Sequence, residues 1–360
     1  MRSTIHRKTG RGAVSNPEGR FEKHRIEPFD DGWGSLELEE TPPLETTVTT
    51  DSNRTILTEN KSPDLPFELS INPYRGCEHG CIYCYARPSH SFLGLSPGLD
   101  FETRLYRKTH AADQLEKALR KPKYRVRPIT LGANTDAYQP VEREHRITRE
   151  LLEVLHAYRH PVAIITKGAL VLRDLDLLSE MGQQGLARVI VSATTLDPQL
   201  ARIMEPRAAA PHRRIEMIAA LHEAGVPVSV NAAPMIPAIN DMELERIIEA
   251  GAKAGADSAG YILVRLPNEL AELFTEWLET HFPDRASHVL SLLGQMRDGR
   301  LNDPRFGFRM RGSGPYAELL SKRCRLSCRR LGLNQQRPKL RTDLFRLPPR
   351  VGDQLSLFED

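Results

Sequence analysis

Three cysteines carry the sharpest chemical signal in the chain. They stand in Asn72-Pro73-Tyr74-Arg75-Gly76-Cys77-Glu78-His79-Gly80-Cys81-Ile82-Tyr83-Cys84-Tyr85, separated first by three residues and then by two. Thiolates are the soft ligands that iron–sulfur clusters need. Intervals this short let one loop wrap a single cubane. Three protein ligands leave one iron with an open position. Two plainer readings stand beside this one: three buried cysteines in a loop, or a zinc site completed by His79 or His90. Zinc sites commonly pair two Cys-x2-Cys knuckles, and the chain has no second one.

The other two cysteines, Cys324 and Cys328, are four apart on a predicted helix and share one side of it. They read as ordinary thiols, as a hydrogen-atom donor or redox pair, or as two ligands of a second metal. Five cysteines in two tight groups do not form a disulfide framework and suit a reducing compartment. No run of about 18 apolar residues occurs. The stretch Met1–Gly12 is basic and polar, without the apolar core of a secretory signal. A cytoplasmic protein is expected.

The net charge of +3 conceals strong segregation. Met1–Arg25 holds seven Lys/Arg against two Glu, and Ile26–Asp51 eight acidic residues and no basic one. Ser321–Arg350 holds ten Lys/Arg against the single Asp343. Such blocks are solvated faces or tails, or tracks for a phosphate backbone. Arg323, Arg325, Arg329 and Arg330 are the candidates for DNA.

The elements that must position these residues read as α/β. Candidate strands are Phe67–Pro73, Pro128–Ala133, Val162–Thr166, Arg188–Ser192, Pro227–Ala232 and Tyr261–Val264. Between them run helical stripes: Leu151, Leu152, Leu155 and Tyr158; Leu172, Leu175, Leu178 and Met181; Ile215, Ile218, Ala219 and His222, closed by Gly225. A fourth, Leu244, Ile247 and Ile248, is closed by Gly251. Strands alternating with helices imply a parallel sheet with right-handed crossovers. Six units are too few for an eight-fold barrel, so an open, partial (β/α)6 barrel fits, with its site at the carboxyl ends of the strands. The division expected is a disordered or extended arm over 1–62, the barrel over 63–266, a helical extension over 267–334 and a flexible tail over 335–360.

The cysteine loop resembles the signature of the radical S-adenosylmethionine (SAM) superfamily, with Tyr83 as the aromatic residue before the third cysteine. Asn72-Pro73-Tyr74-Arg75-Gly76 and Tyr85-Ala86 resemble the branch related to spore photoproduct lyase. The resemblance spans Leu65 to Leu266. It implies a partial (β/α)6 barrel, a 4Fe-4S cluster on Cys77, Cys81 and Cys84, and SAM on the open iron. It implies reductive cleavage of SAM to methionine and a 5′-deoxyadenosyl radical that abstracts hydrogen from substrate, fed by a flavodoxin or ferredoxin. Tyr83 belongs to the implied cofactor contacts. The family's Gly-Gly-Glu after the second strand is replaced here by Gly132-Ala133-Asn134-Thr135-Asp136. Asn134, Thr135 and Asp136 are the substitutes expected to receive the SAM amino group. Lys167 is expected at its carboxylate, Ser192 and Thr194 at the ribose and Asn231 near the adenine. Gln139 and Glu142 are expected to face substrate. The family lyase quenches its product radical with a cysteine soon after the motif. This chain has none between Cys84 and Cys324, so Cys324 or Cys328 is the expected replacement.

The chain ends Gln354-Leu355-Ser356-Leu357-Phe358-Glu359-Asp360. Gln354, Leu355, Leu357 and Phe358 resemble the peptide by which bacterial repair proteins dock on the DNA sliding clamp. The expected function is therefore a radical SAM enzyme on DNA, in repair or base modification. The alternatives are a radical SAM enzyme on tRNA, protein or a small molecule, and a nonenzymatic iron–sulfur sensor that binds DNA.

Overall fold

The structure is a computed structural model that describes residues 10–22, 45–52, 55–336 and 339–349. Its strands in chain order are β1 (Thr47–Thr50), β2 (Thr58–Glu59), β3 (Leu69–Ile71), β4 (Tyr74–Arg75), β5 (Arg104–Arg107), β6 (Ile129–Leu131), β7 (Val162–Thr166), β8 (Ala187–Ser192), β9 (Val228–Met235) and β10 (Ser258–Leu263). The main sheet runs β10-β9-β8-β7-β6-β3-β2. From β3 to β10 every neighbouring pair is parallel, and β2 adds antiparallel to the outer edge of β3. Parallel neighbours need crossovers. Helices Ala111–Leu119, Ile147–Ala157, Leu175–Gln183, Pro211–Glu223 and Leu244–Lys253 supply them. This is the partial (β/α)6 arrangement expected, and the six strands lie where the apolar runs put them.

Alternation along each strand sorts side chains between helices and interior. On β9, Val230 is buried against the helix Leu244–Lys253, while Asn231 beside it faces the cavity described below. Gly251 differs from its expected role as a helix stop. The helix continues to Lys253, because Gly251 is the point of closest approach to the sheet. A Cβ there would sit 2.5 Å from Val230 Cγ1.

A second sheet, β1-β5-β4, was not foreseen. It forms because residues of the N-terminal segment pack on the body rather than trail from it. β1 pairs parallel with β5. Ala13 is buried, and Gly12 lies so close to the cysteine loop that a Cβ would fall 1.7 Å from the Gly80 carbonyl oxygen. In its described residues the segment is thus held, not loose. Nor is the tail free over 339–349. Phe345 packs its ring on Tyr124, Tyr158 and His160, and the Arg341 N–H donates to the Gly185 carbonyl at 2.9 Å.

What holds the cysteine loop is a buried ion pair. Arg87 and Glu102 are both fully buried and meet at 2.5 Å. Arg87 also donates to the carbonyls of Cys81 (2.9 Å), Pro97 (3.1 Å) and Gly98 (2.8 Å). Glu102 accepts the backbone N–H groups of Gly12 (3.0 Å) and Ala13 (2.8 Å). Gly80 has φ +66°, and a Cβ there would meet a Glu102 carboxylate oxygen at 2.8 Å. Only glycine turns the loop this close to the pair.

Two substitutions test this packing. Gly251→Ala overpacks the helix against β9 and should cost about 1–3 kcal/mol in urea unfolding; an unchanged midpoint would show that the helix can lift off freely. Glu102→Ala strands the Arg87 charge and should cost roughly 3–5 kcal/mol. Iron retained after reconstitution should fall with it, because the Cys81 carbonyl and Gly80 lose their support. Unaltered stability and iron content would show that the pair does not hold the loop.

Candidate functional site

A cavity of about 800 Å³ opens at the carboxyl ends of the parallel strands. Cys77, Cys81 and Cys84 line it, from the loop that follows β4. Tight turns bring them together: the Gly80 N–H donates to the Cys77 carbonyl, and the Cys84 N–H to that of Cys81. Burial pushes the Cys77 thiol well above its usual range, and Asp136, Cys81 and Cys84 add to the effect. Burial pushes Cys81 up to about 12, although Lys167 pulls the other way. The surroundings of Cys77 and Cys81 therefore disfavour their thiolates without a metal cation beside them.

The residues fit an iron–sulfur cubane. Among the described residues no three His, Cys, Asp or Glu side chains gather to hold a single metal ion. A cubane does not ask for that, since each cysteine ligates a different iron, whereas mononuclear zinc does. The two histidines weighed for zinc are committed elsewhere. His79 pairs with Asp136 at 3.4 Å. His90 packs edge-on against Phe101, with its Nε2 at 2.9 Å from the Arg104 carbonyl.

Asn134, Thr135, Asp136 and Lys167 all line the same cavity, and so do Ser192 and Asn231. Asp136 is the organiser among them rather than a free acceptor. Its carboxylate receives Thr166 Oγ1 (2.7 Å), the Lys167 N–H (2.7 Å) and the Tyr138 N–H (2.9 Å), besides His79. Burial works to raise its pKa, but His79 and these hydrogen bonds hold it at about 2. Asp136 thereby ties the end of β7 to the cysteine loop. Thr135 is likewise bound, its hydroxyl donating to the Tyr74 carbonyl at 2.9 Å. Asn134 is exposed, and no side-chain hydrogen bond holds it within the described residues.

Tyr83 lines the cavity with its ring, 5.7 Å from the Lys167 ammonium. Its hydroxyl points the other way, donating to Glu205 and meeting Thr194 Oγ1 at 3.1 Å. Burial, with Cys81 and Glu205 nearby, raises its pKa strongly. Glu205 is in turn paired with the fully buried Arg214 at 2.5 Å.

Several expected contacts are corrected. Thr194 does not reach the cavity: it is fully buried and bonded to Glu205 (3.1 Å) and the Ala233 carbonyl (3.0 Å). Gln139 and Glu142 do not face substrate. Gln139 accepts the Glu78 N–H (2.8 Å) and donates to the Gly76 carbonyl (3.2 Å), so it braces the cysteine loop from beneath. Glu142 accepts Tyr74 Oη (2.5 Å) and pairs with Arg173 (2.9 Å). Cys324 and Cys328 lie outside the barrel, buried between the helix Gly314–Arg330 and β10, with Cys328 Sγ 3.9 Å from the Ala259 carbonyl. Neither lines the cavity, and the hydrogen bond to Cys328 together with burial raises the Cys324 pKa. They are placed as packing thiols, not as donors to a radical in the cavity. Arg323 is bound to Glu245 at 2.7 Å, leaving Arg325, Arg329 and Arg330 exposed on that helix, away from the cavity lining. Gln354, Leu355, Leu357 and Phe358 lie outside the described residues.

The cavity also contains cations that sequence reasoning missed. Lys108, Arg265 and Arg309 line it alongside Lys167 and Arg75. Arg75 is paired with Asp51 and Arg309 with Asp64. Lys108, Lys167 and Arg265 have no carboxylate in ion-pair contact among the described residues. Burial lowers the pKa of Lys108 and of Arg265. Arg265 lies 4.2 Å over the ring of Tyr85. It directly follows the last strand, so the logic that selected Lys167 after β7 would have found it.

A model of the radical SAM superfamily matches residues 71–251, half of the chain. An uncharacterized protein of Mycobacterium tuberculosis is 37% identical over 238 residues, which are 65% of this chain and 70% of the relative. An uncharacterized protein of Methanocaldococcus jannaschii is 29% identical over 173 residues, 48% of this chain and 62% of its own. Spore photoproduct lyase complexed with a dinucleoside spore photoproduct superposes with a TM-score of 0.57 at 16% identity, covering 79% of this chain and 78% of the lyase. A variant of that lyase with bound AdoMet gives 0.56 at 15%, with the same coverage. Those two structures share the fold. The superfamily match falls on the strands, crossovers and cysteine loop that build the cavity, and the chain belongs to the radical SAM superfamily.

Proposed function

We propose that the chain is a radical SAM enzyme acting on DNA, in repair or base modification. The observation that carries the reading is the gathering of Cys77, Cys81 and Cys84 with Lys167, Ser192 and Asn231 around one cavity at the strand ends. A 4Fe-4S cluster with SAM, when bound, would supply an electron and a carbon radical for hydrogen abstraction. The chain's own residues bind and orient. Lys167, which acts on Cys81 and lies 5.7 Å from the Tyr83 ring, suits the SAM carboxylate. Asn134 and the rim around Thr135 suit the amino group, since carbonyl oxygens accept from an ammonium. Ser192 suits the ribose, and Asn231 the adenine. Asp136 keeps this wall rigid by holding His79 and the Lys167 backbone at once.

DNA is supported by charge. Five Lys/Arg side chains line the cavity, and three of them, Lys108, Lys167 and Arg265, have no ion-pair partner among the described residues. SAM's carboxylate accounts for one cation, and the excess suits phosphates. The likeness in fold to a lyase solved with a dinucleoside spore photoproduct points the same way. A cytoplasmic setting with a flavodoxin or ferredoxin as reductant completes the reading. No helix among the described residues is long and apolar enough to cross a membrane.

Anaerobic reconstitution with iron and sulfide, followed by SAM and dithionite, should yield 5′-deoxyadenosine. The Cys77→Ala/Cys81→Ala/Cys84→Ala variant should yield none. Absence of cleavage by a protein holding four irons would sink the enzymatic reading and favour a DNA-bound sensor.

A further inference from the structure

Exposed phenylalanine side chains stand on or beside segments that line the cavity. Phe92 is 70% exposed and lines the cavity. It belongs to the 3-10 turn Arg87–Leu93 that directly follows the cysteine loop. Phe21, 51% exposed, stacks on it at 5.2 Å between ring centroids, and the Arg20 guanidinium lies 5.4 and 5.8 Å from the two rings. A second aromatic group stands on the turn that supplies Arg309 and Met310 to the cavity wall. There Phe306 is 53% exposed with Arg309 over its ring at 5.0 Å, and Phe308 is 45% exposed with Arg305 at 5.0 Å. Below them Tyr85, 41% exposed, carries Arg265 on its face.

Single exposed phenylalanines are ordinary on a protein surface. Here Phe92 lines the cavity with Phe21 stacked on it, Phe306 and Phe308 flank the cavity-lining Arg309, and each ring has an arginine near its face. The arginines behind them are neutralised by carboxylates: Arg20 by Glu269, Arg305 by Asp303 and Arg309 by Asp64. Those guanidinium groups therefore act as flat supports that hold the rings in place. Of the cavity's cations, Lys108, Lys167 and Arg265 have no ion-pair partner among the described residues, and Lys108 and Arg265 remain once Lys167 serves the SAM carboxylate. Flat apolar platforms outside and cations inside match a chain of alternating π-faces and phosphates, not a lipid surface, which would place its anionic groups around the apolar residues rather than beneath them.

We propose that this rim is a stacking platform for an unpaired strand of nucleic acid, with bases on Phe92 and Phe306 and a backbone phosphate drawn in to Arg265. Duplex bases are already stacked on each other and offer no face to these rings. The rim therefore selects single-stranded or locally opened substrate. The inference rests on the DNA reading of the same cavity and specifies the form in which the strand is taken.

The test uses the full chain and fluorescence anisotropy with labelled oligothymidine, the matching duplex and anionic lipid vesicles. The single strand should bind more tightly than the duplex. Phe92→Ala and Phe306→Ala should each weaken single-strand binding by about tenfold, within the range of stacking on one base. They should leave thermal stability and duplex binding unchanged, since both rings are exposed. Phe92→Trp should restore affinity. Arg265→Ala should flatten the salt dependence instead. Equal loss for single strand and duplex, no loss from either ring, or preferential binding to vesicles would overturn the proposal. 5′-Deoxyadenosine measured on the same preparations separates the two readings. Its formation without single-strand preference removes the rim alone, and single-strand preference without its formation removes the catalytic reading alone.

Discussion

The fully buried pair of Arg87 and Glu102 is the constraint on which the cysteine loop rests. Taking two charges out of water is expensive, and the cost is offset only when geometry and hydrogen bonding are complete. Here Arg87 spends its donors on Glu102 and three carbonyls, one of them that of Cys81. Glu102 takes two backbone N–H groups from residues 12 and 13. One ion pair thus joins the N-terminal segment, the cysteine loop, the turn after it and the short helix Asp100–Thr103. Chain segments far apart in sequence become one wall.

The opposite side of the loop repeats the device. Glu205 and Arg214, also fully buried, stand behind Tyr83, and Arg214 reaches the Ser192 carbonyl at 3.2 Å. Asp136 forms a third anchor through His79. Each anchor turns its charge inward, toward a protein partner. Of the five cations that line the cavity, Lys108, Lys167 and Arg265 have no ion-pair partner among the described residues. The division is physical: a charge satisfied inside the fold positions the site, and a charge left over is available to a ligand.

That division also explains what could be read from the sequence. The cysteine spacing, the six strands and the strand-end positions of Lys167, Ser192 and Asn231 follow from local patterns. The direction of a polar side chain near a strand end does not. Ser192 reaches the cavity, and Thr194, two residues on and beyond the end of β8, turns into the Glu205 network. Gln139 and Glu142 are polar and close to the site in sequence, yet both brace backbone. Gly251 looked like a helix stop because glycine serves both purposes, and only the proximity of Val230 distinguishes them. The seating of residues 12 and 13 depends on Glu102, about ninety residues away, and β1 pairs with β5 more than fifty residues on, neither of which a local window contains.

The two ends of the barrel carry different tasks. The cysteines, the leftover cations and the aromatic rim occupy the end where the strands finish. The described tail crosses the other end. Asn334 meets Asp257 and Ala259 at the start of β10, Arg341 meets Gly185 before β8, and Arg346 meets Tyr158 before β7. It closes near Arg120, which donates to the Pro348 carbonyl at 2.6 Å. Phe345 seals this path against Tyr124, Tyr158 and His160, and burial lowers the His160 pKa to about 4, so the ring packs uncharged. The described tail thus ends, at residue 349, on the end opposite the cavity.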